Sequence, residues 1–211
     1  MVRYLFTSML LALLQAPLSV SACSHLWRID EVYSSPDRTI QFIELKEVGN
    51  SPFEWGIGPR WFKTNSYNNI PTPVVLGPNL PPVSTAGKRF LVATDSYAAL
   101  PGVPPRDYGI PDGAINPDGD TITWWAYQFV IFPSAGQPTM MVPTDGTNSL
   151  HLTNPHQFNP PPVFATGVNT PTNFAGQTGT VVLASTIPAA SRAWLAVLAF
   201  GLVGLGLLAI A

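Results

Sequence analysis

Proline recurs through the body of this chain, 23 times in 211 residues, and it is densest where charge is absent. Between Gly146 and Ser191 there is no Asp, Glu, Lys or Arg, while Pro155, Pro160, Pro161, Pro162, Pro171 and Pro188 punctuate the same stretch. A prolyl nitrogen carries no hydrogen and its ring clashes with the preceding helical turn, so this region cannot sustain helices. Its polarity comes from Asn, Thr, Gln and Ser. Upstream, the apolar runs are short, β-branched or aromatic, and bounded by Pro, Gly, Asn or Asp, which is the pattern of an all-β domain.

The runs predict strands at Leu26 to Tyr33, Thr39 to Lys46, Arg60 to Lys63, Val74 to Leu76, Arg89 to Ala93, Thr121 to Phe132 and Thr180 to Leu183. Ser34-Ser35-Pro36-Asp37 is a turn-forming set that joins the first two as a hairpin. Both faces of the Thr121 to Phe132 run are largely apolar, so it is expected as one central strand covered on both sides. Asp95 to Leu100 is expected to make a single helical turn.

The two ends differ from the body. Arg3 precedes an apolar core from Leu5 to Leu14, and small residues follow at Val20-Ser21-Ala22. About ten apolar residues are too few to span a bilayer, so residues 1–22 are expected to be a secretory signal peptide. From Ala193 to Ala211 no charge, amide or hydroxyl occurs. A helix of that length is about 28 Å long, enough to cross a membrane. Residues 185–192 then form a short stalk, leaving a single domain over residues 23–184.

The tail resembles the C-terminal sorting signals of bacterial exported proteins, through Ile187-Pro188, Ser191 and Trp194 ahead of the apolar run. It departs from them in the Pro-to-Trp spacing and in lacking a terminal Arg cluster. The resemblance implies a sorting or processing enzyme as a partner. Cys23 is the single cysteine, so no internal disulfide forms. Val20-Ser21-Ala22-Cys23 satisfies both a lipobox, with Cys23 lipidated, and an ordinary signal-peptidase site. Without Arg3 the chain carries nine basic and twelve acidic groups, a formal charge of −3 with His neutral. That balance offers no basic patch for a phosphate backbone and argues against nucleic acid as a partner.

Ile29-Asp30-Glu31-Val32 followed by Gln41-Phe42-Ile43-Glu44-Leu45 resembles the opening strands of lamin-tail domains. Leu80-Pro81-Pro82 through Gly87, Phe90-Leu91-Val92-Ala93 and Gly119-Asp120-Thr121-Ile122 continue the likeness in order, and residues 169–179 stand near the family's closing segment. The chain departs at Asp30, at Gln41 and over residues 49–70. The resemblance implies an immunoglobulin-like β-sandwich, flanked here by the signal and transmembrane helices, in which Glu31, Glu44, Gly119 and Asp120 are structural motif residues. In bacteria such domains sit on exported and surface proteins and are thought to bind or tether.

Glu31 and Glu44 are expected on neighbouring strands, where two carboxylates serve either as general acid and base or as hydrogen-bond acceptors at a sheet edge. Asn116, Asp118 and Asp120 have the alternating oxygen spacing that opens a calcium loop, but no distal acid follows, so a tight turn is the competing reading. His151 and His156, which with His25 are the whole histidine inventory, lack the Cys or acidic neighbours of a zinc set. No nucleophile elbow, P-loop or H-E-x-x-H occurs, and no cofactor or metal is expected. Trp55, Trp61 and Tyr67 lie in the Gly/Pro/Asn-rich middle, where loops would present them for ligand stacking. The reading is a non-catalytic, membrane-anchored envelope or cell-surface module that binds a glycan, matrix component or protein. Its rival is an exported hydrolase with Glu31 or Glu44 paired to a histidine.

Overall fold

The computed structural model describes residues 24–58, 60–64, 74–125, 128–133, 140–153 and 163–183. The signal segment with Cys23, the stalk, the apolar tail, Tyr67 and His156 lie outside them. Among the described residues no helix is long and apolar enough to cross a membrane. Every strand and helix belongs to one compact unit that ends at Val181.

The structure is all-β, as the runs predicted. β1 (Trp27–Ser34) and β2 (Gln41–Glu47) pair antiparallel. Their turn closes through the Ser35 N–H on the Ile40 carbonyl, 2.8 Å, with Arg38 at φ 65°. β3 (Trp61–Thr64), β4 (Val74–Val75), β5 (Arg89–Thr94), β6 (Tyr108–Ile110), β7 (Asp120–Trp124), β8 (Gln128–Phe132), β9 (Asn148–Leu152) and β10 (Phe164–Val168) follow. The larger sheet runs β10-β9-β1-β2-β5-β6 and the smaller β4-β3-β7-β8. The expected helical turn is α1 (Asp95–Ala98), capped by the Thr94 hydroxyl, which accepts from the Tyr97 N–H at 3.2 Å.

A β-bulge between Ile29 and Glu31 decides what each face of the larger sheet carries. The extra residue, Asp30, shifts the alternation, so that Trp27, Ile29 and Val32 all face the shared core and Glu31 and Tyr33 turn outward. Trp27, Ile43, Leu45, Phe90 and Val92 meet Ile122, Trp124 and Val130 of the smaller sheet in one buried cluster. Phe90 sets its edge against Trp27 at 4.8 Å and Trp124 at 6.0 Å. The freed Ile29 N–H crosses to Gln128 Oε1 on β8, 2.6 Å. On the outer face Tyr33 stacks on Phe42, and Phe42 packs edge-on to Tyr97 of α1.

Two expected strands differ. The Thr121 to Phe132 run is not one central strand but the hairpin β7–β8, registered from Asp120↔Phe132 to Trp124↔Gln128, with β8 at the sheet edge. The reversal includes Trp125 in the left-handed region, φ 47°, without the Gly or Asn that marks such turns in a sequence. Trp125 is held there by its N–H on the Trp61 carbonyl, 3.0 Å, and by ring contacts with Trp61 and Arg60. Thr180 to Leu183 forms no strand, because the Val181 N–H is taken by the Asn169 side chain. Unforeseen strands β9 and β10 lie inside the charge-free, Pro-rich stretch, and β6 pairs with β5 in parallel.

Gln41, the first residue of β2, uses both ends of its amide. Its fully buried amide accepts from the Ile115 N–H, 2.9 Å, and donates to the Ile115 carbonyl, 2.7 Å. A carboxylate cannot donate. Gln41→Glu should therefore cost about 2–4 kcal/mol in urea unfolding; an unchanged midpoint would contradict this bridge.

Candidate functional site

Glu31 and Glu44 are register partners on β1 and β2, the two central strands of the larger sheet rather than an edge. Each is 2 % exposed, on the outer face. What covers them is the segment of residues 169–181, which contains no Asp, Glu, Lys or Arg. It leaves β10, turns through Asn173 and Gly176 (φ 83°), and returns to its own start, with a bridge at Thr172↔Thr178. Asn169 ties its ends: Oδ1 accepts the Val181 N–H and Nδ2 donates to the Val181 carbonyl at 3.2 Å.

The flap docks through alternate backbone N–H groups onto a row of acids. Thr170 N–H meets Glu31 Oε1 at 2.9 Å, Thr172 N–H meets Glu44 Oε2 at 2.6 Å, and Phe174 N–H meets Asp107 Oδ2 at 2.9 Å. Asp107 also accepts the Leu91 N–H, 2.8 Å, so it joins flap and sheet. Glu31 further accepts from the Ser149 hydroxyl at 2.6 Å and the Thr170 hydroxyl at 3.1 Å. Arg89 supplies the countercharge, with Nε 2.6 Å from Glu44 Oε1 and Nη2 3.2 Å from Asp30.

Burial pushes the carboxyls of Glu31 and Asp107 up. Burial, with Glu31 alongside, pushes Glu44 up to about 8 although Arg89 opposes the shift. His151, the register partner of Glu31 on β9, brings Nε2 to 3.9 Å from Glu31, beyond hydrogen-bond reach. The same nitrogen lies 3.0 Å from Ser149 Oγ, whose own hydrogen goes to Glu31. Ser149 is fully buried. The group thus has the elements of a nucleophile and base, but its hydroxyl is spent on an acid beneath a flap.

The other sequence-predicted residues separate. Gly119 (φ 147°) and Asp120 close the turn of residues 116–120, with Asp120 accepting the Asn116 and Thr121 N–H groups at 3.0 and 2.7 Å. The oxygens of Asn116 and Asp118 meet the guanidinium of Arg38, at 3.4 and 2.5 Å, where a cation would sit. Among the described residues no three His, Cys, Asp or Glu are grouped to hold a metal ion. Trp61 is half-buried against Trp125, while Trp55 is half-buried and lines a shallow groove of about 360 Å³ with Pro52, Phe53, Pro82, Val83 and Ser84.

This groove and the flap's exit occupy opposite poles. Trp27 begins β1 and donates its indole N–H to the Glu54 carbonyl, beside Trp55, while Glu54 Oε2 accepts the Leu26 N–H. Ser34 ends β1 seven residues on, about 23 Å away. Register extends β9 so that Asn148 lies alongside Ser34; there Asn169 bonds Thr147, and Val181 leaves the unit. Sequence reasoning missed Arg89, Asp107, Ser149 and the flap threonines, which lie far apart in the chain and gather only through the register. No family model, characterised protein or solved structure matches this chain.

The raised acids set a pH dependence. The unfolded chain loses the Glu44 proton near 4.5, and the folded chain holds it to about 8. Its contribution to stability is full below about pH 4.5 and is lost as pH rises through about 8. Wild-type stability should fall from pH 5 to 8, with Glu44 contributing at most about 1.4 kcal/mol per pH unit, and Glu44→Gln should flatten the profile. A stability that rises over that window would contradict the assignment.

Proposed function

We propose that this chain is a non-catalytic, exported envelope or cell-surface module of the lamin-tail type. It is an immunoglobulin-like β-sandwich delivered by the leader of residues 1–22 and held at the membrane by residues 193–211. It binds an extracellular ligand at the loops of one end. The observation that carries this reading is that the uncharged Phe53–Trp55 groove stays open while the buried acids of the larger sheet are covered by the flap. Trp55 is the ligand contact in this reading, and Trp61 stiffens the turn at Trp125.

The carboxylates support the non-catalytic half. Glu31, Glu44 and Asp107 spend their oxygens on flap N–H groups, and the hydrolase alternative would need Ser149 within reach of a substrate. Ser24, the residue after Cys23, is buried and its hydroxyl accepts from Arg60 Nε at 2.7 Å. A lipid on Cys23 would bring the groove pole to the membrane, which favours ordinary cleavage after Ala22.

Fractionation with intact-mass measurement tests this reading. The full chain should start at residue 23 without an acyl group and sediment with membranes, and a stop codon at position 193 should release it into the medium. A cytoplasmic chain that retains Met1 would overturn the reading.

A further inference from the structure

We infer that the groove pole binds an uncharged polysaccharide, an assignment that rests on the displayed-module reading above. Residues 51–58 and 78–85 run side by side there without forming strands. Thr85 donates to the Pro52 and Ser51 carbonyls at 3.4 and 2.7 Å, Leu80 N–H to Trp55 O at 3.1 Å, and Gly58 N–H to Asn79 Oδ1 at 2.8 Å. One groove opens beside Phe53, Trp55 and Val83. A second, of about 370 Å³, opens beside Val75, Pro78 and Asn79. Both grooves take lining residues from the same pair of segments.

Charge selects the ligand. Among the described residues no Asp, Glu, Lys or Arg lines either groove, so a uronate, a sulfate or a basic peptide would lose hydration there with no described partner to replace it. Neighbouring charges are engaged elsewhere: Glu54 is buried on Leu26, Arg60 bonds Ser24 and covers Trp125, and Lys88 bonds Phe174. His25 stands 3.5 Å from Glu54. The apolar side chains are open to contact, with Phe53 48 %, Val83 51 % and Val75 61 % exposed. A pyranose offers an apolar C–H face to Trp55 and Phe53, and its hydroxyls meet the Asn79 amide and Ser84 hydroxyl at the rim. A polyproline segment is also neutral, but it docks between aromatic ridges, and among the described residues the second groove has no aromatic side chain.

The test is retention of the full detergent-solubilised chain on cellulose, chitin, amylose and insoluble β-1,3-glucan, with alginate and a proline decamer as contrasts. At least one neutral polymer should retain the chain, unaltered between about 0.1 and 1 M salt, since no ion pair forms. Trp55→Ala should weaken retention about tenfold or more. Phe53→Ser and Val83→Ser, both at exposed positions and checked by thermal melting, should weaken it as well, and Trp61→Ala should not. Trp55-dependent binding only to alginate or the proline decamer overturns the uncharged-polysaccharide assignment and leaves the binding-module reading standing. Absence of binding to every probe overturns the assignment, and retention indifferent to all three groove variants overturns both.

Discussion

Loop backbone that pairs with no strand must find its acceptors elsewhere, and in this protein it finds them in buried acids. Glu31, Glu44, Glu47, Glu54 and Asp120 are each no more than 4 % exposed. Every one accepts a main-chain N–H from a segment outside its own strand ladder: Thr170, Thr172, Gly49 and Gly87, Leu26, and Asn116. A buried carboxyl is costly in either state, and each bond it accepts returns about 0.5–1.5 kcal/mol when the acid is neutral and about 1.5–3 kcal/mol when it is ionised, so several donors are needed to offset one burial. The proline-rich loops supply those donors. Few strands and many acceptor side chains is therefore a coherent solution for a chain in which proline interrupts ladders so often.

The same interaction shapes what the molecule can do. The flap carries no charge of its own and is held by alternate N–H groups, so the most strongly perturbed acids of the fold lie under backbone rather than in an open cleft. Such perturbation is shared by catalytic sites and by structural networks, and the donors decide between them. Here the donors are amide hydrogens, hydroxyls and the Arg89 guanidinium of the chain itself. With the centre of the sheet sealed, the proposed recognition surface is the pair of uncharged grooves beside Trp55 and Asn79.

Much of this was legible in the residues. The hairpin of β1 and β2, the single turn of α1, the all-β class and the adjacency of Glu31 and Glu44 follow from local pattern. The central position of that pair does not, because β9 and β10 have no strong strand signature and come from the stretch that reads as loop. The β7–β8 reversal was hidden because Trp125 adopts a conformation ordinarily marked by Gly or Asn. The bulge at Asp30 was equally silent, although it alone turns Glu31 outward. Trp55 and Trp61 looked equivalent in the sequence; contacts with Trp125 and with the Pro52–Val83 loops separate them.

Hydrogen exchange at single amides addresses the acid row most directly. If buried carboxylates fasten the flap, the Thr170, Thr172 and Phe174 amides should exchange nearly as slowly as the β1–β2 ladder. In Glu31→Gln and Glu44→Gln chains, Thr170 and Thr172 should accelerate by about tenfold or more while the ladder stays protected. Fast exchange at all three amides in the wild-type chain would contradict the account.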